Sequence, residues 1–195
     1  MKTNDIRLFA RNGIYEVLLS TGFGDETNVS PVGLHVRGTD LKIFLYKSTK
    51  SYEILVRNPK CGITISFDAR RFYMALKGEL NNQVRFSKNG FPFLEGDAVL
   101  LAECLLEKDE EPAAFKVVPH EAMLNIVEFP AFNRANALLI DALVHLTRLP
   151  IEEPHTREAL RILLIYELST AKRLAPELAD IVDEIVNQVM KAYKL

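Results

Sequence analysis

Two clusters of small polar residues lie where apolar segments of the chain end. The first covers residues 28–31 (Asn-Val-Ser-Pro) and the second covers residues 48–51 (Ser-Thr-Lys-Ser). Both offer hydroxyl groups and backbone N–H groups, a set that suits holding an anion such as phosphate better than it suits hydrolysis. Each cluster alone also has a plainer explanation, because Asn and Ser favour turns and Ser and Thr favour helix starts.

A third group of polar residues interrupts an otherwise apolar stretch, residues 133–149. Arg134, Asp141, His145 and Arg148 fall on one stripe of the helix that this stretch predicts. Charged groups on an apolar helix are costly unless they are paired or face a ligand. Two interpretations follow. Asp141 accepts hydrogen bonds from His145 and Arg148 within the helix, or at least one of those two side chains reaches a bound anion.

The rest of the sequence lacks the recognisable machinery of a hydrolase or a metalloenzyme. No Ser/His/Asp order, pair of carboxylates, Walker-type loop or metal-ligand cluster stands out, and we predict no metal site. A chain without catalytic groups of its own is typical of a protein whose cofactor carries the chemistry.

The composition is that of a globular protein, with 48% hydrophobic and 26% charged residues in a chain of 195. A net charge of −2 argues against a general nucleic-acid binder. No signal peptide and no apolar run of about eighteen residues is present, so we expect a cytoplasmic protein that does not enter a membrane. Cys61 and Cys104 lie in apolar segments, where free thiols or a disulfide would both fit, and they lack the spacing of a zinc site.

The pattern along the chain predicts strands in the first two thirds and helices in the last third. Strands are predicted at residues 14–21, 29–37, 41–47, 61–67, 98–106 and 114–118. Helices are predicted at residues 48–57, 68–76, 133–149, 156–174 and 176–192. The polar residues 79–92 are interpreted as a surface excursion.

The first three predicted strands form a meander, and its edges need closing into a barrel or covering. We therefore predict an α+β fold in which an antiparallel barrel is followed by three helices. The second strand and the end of the third should be neighbours in such a meander. The two polar clusters should then face one pocket at the end of the sheet.

Four segments taken in order resemble a known family. They read GIYEVLLST, NVSPVGLHV, LYKSTKSYEILVRNP and FNRANALLIDALVHLTRL. Together they resemble a mostly archaeal family of uncharacterised proteins with the FMN-binding split barrel fold, over nearly the whole chain. The resemblance implies an antiparallel split β-barrel of the FMN-binding type at residues 1–130 and a C-terminal helical segment at residues 131–195. It also implies a homodimer that holds FMN near the subunit interface.

The same resemblance implies which residues lie near the cofactor. Those that approach the flavin ring or its ribityl chain are Asn28, Val29, Ser30 and Pro31. Those at the phosphate end are Ser48, Thr49 and Tyr52, with Asn58 nearby. Those on the later helix that add phosphate or substrate contacts are His145 and Arg148.

The function implied by this resemblance is that of an FMN-binding flavoprotein. We expect an oxidoreductase of the flavin-reductase type, in which a nicotinamide cofactor reduces the flavin and the flavin reduces an acceptor that the sequence does not identify. The alternative is a non-catalytic FMN-binding or carrier protein whose helical tail binds a partner. A third hypothesis is a barrel-based dimer that binds no flavin.

Overall fold

β-Strands make up most of the first two thirds of the chain, and each long strand turns one face into a common core. The computed structural model describes residues 12–96, 98–124 and 133–193. The strands in this part of the chain are β1 (Gly13–Phe23), β2 (Glu26–Arg37), β3 (Asp40–Leu45), β4 (Lys60–Ile65), β5 (Arg85–Phe86), β6 (Pro92–Phe93), β7 (Ala98–Lys108) and β8 (Ala113–Leu124).

Six of these strands form a closed antiparallel barrel. Their order is β1–β2–β3–β8–β7–β4, and β4 pairs with β1 to complete the circle. The short strands β5 and β6 form a separate two-stranded ribbon. Closure removes the free edges that the predicted meander would otherwise expose.

Helices occupy the last third of the chain, and two shorter ones lie between strands. The α-helices of the described residues are α1 (Lys50–Arg57), α2 (Ala69–Leu76), α3 (Arg134–Arg148), α4 (Pro154–Leu174) and α5 (Ala179–Tyr193). The predicted α+β fold, an antiparallel barrel followed by three helices, is confirmed. Among the described residues, no helix combines the length and apolar character needed to cross a membrane.

The described residues group into two units. The barrel unit contains the described parts of residues 12–66 and 74–124, and the helical unit contains residues 67–73 and 133–193. The predicted domain boundary, between residues 130 and 131, lies outside the described residues. The division of the chain at that point stays a prediction.

The interior of the barrel is filled by aliphatic and aromatic side chains. Fully buried members of this core are Leu19, Leu34, Ile43, Ile63 and Phe115. Helix α1 packs on the same core, because its Leu55 is buried there and the ring of its Tyr52 lies edge-on to Phe115 at 5.9 Å between centroids. Burying a side chain of this size contributes about 1.5–3 kcal/mol, so α1 is held mainly by its apolar face.

In the helical unit, α5 begins later than predicted. Pro176–Leu178 forms a separate 3-10 turn, and the α-helix starts at Ala179. The predicted apolar stripe of this helix is nevertheless buried, as the exposure of Ile181, Ile185 and Val189 shows. Each of these three side chains is at most 5% exposed.

The interpretation of residues 79–92 as a surface excursion is wrong in part. Leu80 and Phe91 are 2% and 6% exposed, and residues 81–83 form a 3-10 turn. The side-chain amide oxygen of Asn81 accepts a hydrogen bond from the backbone N–H of Val29 at 2.8 Å. The prediction failed because most residues of this segment are polar, whereas the two apolar residues Leu80 and Phe91 are the ones that are buried.

The two cysteines meet in the barrel core as free thiols. Cys61 on β4 and Cys104 on β7 are both buried, with their Sγ atoms 2.7 Å apart. Burial raises the pKa of the Cys61 thiol well above its usual value, because the thiolate would lose its hydration.

A close approach between β4 and the ribbon strand β6 requires glycine at position 62. A Cβ atom on Gly62 would lie 2.4 Å from the carbonyl oxygen of Pro92 and 2.9 Å from the Cα atom of Phe93. Both neighbours are backbone atoms, which cannot turn aside as a side chain can.

We expect Gly62→Ala to lower the free energy of unfolding by about 1–3 kcal/mol, because the added methyl group forces β6 away from β4. The matched control is Gly33→Ala, whose Cβ would meet side-chain atoms alone, the nearest being Cγ2 of the exposed Ile14 at 3.0 Å. Urea denaturation followed by circular dichroism measures both variants. Equal stability of Gly62→Ala and the wild-type protein would contradict the tight backbone approach.

Candidate functional site

The two polar clusters identified in the sequence meet where α1 packs on β2. Asn28 Nδ2 donates a hydrogen bond to Ser51 Oγ at 3.0 Å, and the hydroxyls of Ser30 and Ser51 are 2.7 Å apart. Asn28 and Ser30 lie two residues apart on β2, so they share one face of the strand. Ser51, in the first turn of α1, is 1% exposed. These three side chains therefore join the start of α1 to β2.

The two residues that flank Asn28 on β2, Thr27 and Val29, bond to Asn81 instead of α1. Val29 is 1% exposed, and its backbone N–H donates to Asn81 Oδ1. The neighbouring Thr27 hydroxyl donates to the carbonyl oxygen of Asn81 at 2.8 Å. Asn81 thus holds β2 by two hydrogen bonds, although we did not predict it as a site residue. Its only signal in the sequence is an Asn-Asn pair within residues 79–92, the segment that we interpret from the sequence as a surface excursion.

Thr49 is the N-cap of α1, whereas Ser48 is exposed. Thr49 Oγ1 accepts a hydrogen bond from the backbone N–H of Tyr52 at 3.4 Å and donates one to the carbonyl oxygen of Tyr46 at 2.7 Å. Of the Ser and Thr residues in the cluster at residues 48–51, it is Thr49 that caps the helix. The start of α1 carries the partial positive charge of a helix N-terminus.

Tyr52 and Asn58 tie α1 to other parts of the barrel unit. The Tyr52 hydroxyl donates to Asp109 Oδ1 at 2.9 Å, and this hydrogen bond raises the pKa of the phenol. Asn58 follows the last residue of α1, and its Nδ2 donates to the carbonyl oxygen of Gly22 at 2.7 Å. Both predicted site residues therefore have partners that fix the orientation of the helix.

Three cations on or next to α1 are each paired with an exposed carboxylate: Lys47 and Lys50 lie at its start, and Arg57 is its last residue. Lys47 Nζ lies 2.9 Å from Asp109 Oδ1, and Lys50 Nζ lies 3.2 Å from Glu26 Oε1. Arg57 contacts the other oxygen of Glu26. The hydrogen bond from Arg57, followed by that from Lys50, lowers the pKa of the Glu26 carboxyl.

These pairs are weak, because the side chains of Lys47, Lys50 and Arg57 are 40–44% exposed. An anionic ligand can exchange with such a carboxylate at little cost. The groups around the start of α1 are then a helix N-terminus, the hydroxyl of the exposed Ser48, and exchangeable ammonium groups, whereas the Thr49 hydroxyl already donates to the Tyr46 carbonyl. This set of donors fits a phosphate monoester.

His145 and Arg148 lie on α3, in the helical unit. Contrary to the ion-pair set that we considered within α3, the hydrogen-bond partner of His145 is on α4: its Nδ1 lies 2.9 Å from Glu167 Oε2. Asp141 belongs to the same group of side chains. Arg148 is exposed in the last turn of α3.

We did not predict Glu167, which is 5% exposed. Burial raises the pKa of its carboxyl, because the charged form loses hydration. One signal in the sequence was available. Glu167 follows Leu164 by three residues and precedes Ala171 by four, so a charged residue occupies the apolar stripe of α4.

Comparison with known structures supports the barrel fold. The chain is similar to the FMN-bound protein MM1853 from Methanosarcina mazei, with 22% identity and a TM-score of 0.78 over 91% of this chain and 95% of that one. It is also similar to the flavin reductase HpaC, solved with NADP+, with 11% identity and a TM-score of 0.51 over 60% of this chain and 81% of that one.

A third similar structure is nitrilotriacetate monooxygenase component B from Mycobacterium thermoresistibile. It has 11% identity and a TM-score of 0.50 over 61% of this chain and 72% of that one. These likenesses confirm the predicted split barrel of the flavin-reductase type. A comparison with curated proteins finds no match.

Two family models match the chain. The model described as the N-terminal domain of the protein of unknown function DUF447 matches residues 15–126, and the model described as the protein of unknown function DUF447 matches residues 133–187. MM1853 is itself assigned to DUF447. The predicted resemblance to a family with the FMN-binding split barrel is therefore confirmed, and the chain belongs to the DUF447 family.

Proposed function

We propose that this protein binds FMN in its barrel unit and acts as an oxidoreductase of the flavin-reductase type. The observation that carries the proposal is the group of phosphate donors at the start of α1, on a barrel whose fold matches that of the FMN-bound MM1853. When bound, FMN would supply hydride and electron transfer, which the protein's own side chains do not supply.

In this proposal the start of α1 holds the phosphate. Ser48 offers a hydroxyl, Thr49 caps the helix N-terminus that would face the phosphate, and Lys50 offers an ammonium group once it leaves Glu26. Tyr52, which packs on the barrel core and bonds to Asp109, keeps the helix in place for this contact. Asn58 supports the end of the same helix through its hydrogen bond to the carbonyl oxygen of Gly22, near the end of β1.

The ring and ribityl chain would lie along β2 at Asn28, Val29, Ser30 and Pro31. Because the polar side chains of Asn28 and Ser30 already bond to Ser51, the groups of this segment that are best suited to contact the cofactor are its outward-facing backbone and Pro31. We keep His145 and Arg148 as proposed phosphate or substrate contacts. Of the two, Arg148 has the more exposed side chain.

We further propose a nicotinamide cofactor as the reductant, which the complex of the similar flavin reductase HpaC with NADP+ supports. We also propose a cytoplasmic location.

A second candidate function is a non-catalytic FMN carrier whose helical tail binds a partner. The observation that favours it is a set of exposed apolar side chains on α4. Ile162, Leu163, Ile165 and Tyr166 are each between 46% and 63% exposed. Single exposed apolar residues are ordinary, but consecutive ones on one helix are typical of a surface that another protein covers.

The proposal predicts that protein purified after expression with added riboflavin is yellow and releases FMN on heating. Absorbance spectroscopy and chromatography of the released pigment identify the cofactor. The FMN-loaded protein should then oxidise NADH or NADPH faster than the same concentration of free FMN. A rate no higher than that of free FMN favours the carrier, and a colourless protein that fails to take up FMN on titration would overturn both functions.

The phosphate position generates a second prediction. Glu26→Gln removes the carboxylate that competes with the phosphate for Lys50 and Arg57, so FMN should bind about two- to fivefold more tightly. Riboflavin, which has no phosphate, should bind with unchanged affinity. The matched control is Glu95→Gln, which removes an exposed carboxylate paired with Arg85 on the β5–β6 ribbon. Fluorescence titration measures each Kd, and equal changes for FMN and riboflavin would contradict the assignment.

We also propose a homodimer formed through the outer surface of the barrel. Ile14 on β1 and Phe44 on β3 are 58% and 42% exposed, and the ring of His35 lies between them, 4.8 Å from the ring of Phe44. This apolar patch supports association with a second copy of the chain.

Analytical ultracentrifugation should show a dimer for the wild-type protein and a monomer for Phe44→Asp, because the new charge would be buried in the interface. The matched control, Ile165→Asp on α4, should remain dimeric. A dimer that survives Phe44→Asp but dissociates in the control would place the interface on the helical unit instead. A monomeric wild-type protein that retains FMN would refute the dimer.

A further inference from the structure

Three ionisable side chains converge between α3 and α4, inside the helical unit. Asp141 and His145 are four residues apart on α3, so they project from the same face of that helix one turn apart. Glu167 reaches them from α4. One potential ligand atom from each of the three side chains lies within 4.8 Å of the other two.

The burial of this group differs from that of a surface ion pair. The side chains of His145 and Glu167 are 15% and 7% exposed. A carboxylate withdrawn from water to this extent is costly unless a cation compensates it. Asp141, by contrast, is exposed, so it adds a second negative charge at a point that solvent can reach.

The distances suit a bound metal ion. His145 Nδ1 and Glu167 Oε2 are 2.9 Å apart. Two ligand atoms held at about 2.1 Å from one metal ion are separated by about 3.0 Å at right angles, as around an octahedral ion, and by about 3.4 Å at the tetrahedral angle of Zn²⁺. The nitrogen and oxygen therefore need to separate by at most about 0.5 Å to become neighbouring ligands of one ion. The exposed Asp141 carboxylate can close on the ion from the solvent side.

We propose that Asp141, His145 and Glu167 form a binding site for a divalent transition-metal ion. The ligands are one oxygen of each carboxylate and the imidazole Nδ1, and water completes the coordination. Two carboxylates with one imidazole favour Zn²⁺, Mn²⁺ or Fe²⁺ over Mg²⁺ and Ca²⁺, which prefer oxygen ligands alone. The ion would take the place of the hydrogen bond between His145 Nδ1 and Glu167 Oε2. The site differs from our prediction from the sequence, in which no metal-ligand cluster stood out.

The competing explanation is a hydrogen-bonded contact that joins α3 to α4 without a metal ion. In that explanation Asp141 only adds a side-chain hydrogen bond to Glu167, which Asn at position 141 can also form. The exposed Asp141 is therefore the residue that separates the two explanations. Its replacement by Asn removes a charged ligand while leaving the contact between helices intact.

The experiment uses the full chain, freed of metal with a chelator and titrated with Zn²⁺ and with Mn²⁺ by isothermal calorimetry. We expect one saturable site per chain for at least one of these ions. Asp141→Asn and His145→Ala should each raise the Kd by at least the roughly 10–100-fold that follows loss of an outer-shell partner. The matched controls, Glu158→Gln and His155→Ala, remove an exposed acid and an exposed histidine from the first turns of α4 and should leave the Kd unchanged.

Thermal unfolding gives a second readout, because an ion that binds only the folded chain raises its melting temperature. The rise should occur in the wild-type protein and both controls and should be absent in Asp141→Asn. Saturable binding that persists in both Asp141→Asn and His145→Ala would overturn the proposal, since the ion would then sit elsewhere. Absence of saturable binding of either ion at millimolar concentration would overturn it as well.

Discussion

Strand β1 is bonded on both edges, and this double pairing is the constraint on which the barrel unit depends. It pairs with β2 over its whole length and with β4 between Leu18 and Thr21. At the end of this ladder Thr21 faces Asn28 on one side and Cys61 on the other. Residues that are far apart in sequence are thereby brought to neighbouring positions, and the start of α1 packs against the same end of β2.

The polar side chains of Asn28, Ser30 and Ser51 have a structural role. They form hydrogen bonds to one another, so they hold α1 on β2 and are not free to bind a ligand. The groups left to contact an anion are the hydroxyl of the exposed Ser48, the helix N-terminus that Thr49 caps and the ammonium group of Lys50. This division explains why the buried part of the site is rigid while its exposed ion pairs can exchange partners.

In the helical unit the main polar contact, between His145 and Glu167, is buried rather than exposed. A buried carboxylate is stable only when a cation or a proton compensates its charge. Glu167 on α4 contacts His145 on α3, and Asp141 on α3 lies beside both of them. The sequence pattern of α3 alone suggested a set of pairs within that helix, because spacing along one helix contains no information about a second helix that packs against it.

Local pattern was sufficient to determine the order of the six barrel strands and the five helices, the α+β class, the caps and breakers that bound α1, and the apolar stripe of α5. These features depend on neighbours within a few residues, where hydrophobic period and capping chemistry act. The barrel and the proximity of the two polar clusters also followed from the sequence, through the meander of the first three strands. The tertiary structure alone decided that β4 pairs with β1, that β5 and β6 form a ribbon, that Cys61 meets Cys104 and that Asn81 anchors β2. Each of them depends on the register between strands or on a long-range contact, and a pattern along one strand does not encode which strand lies beside it.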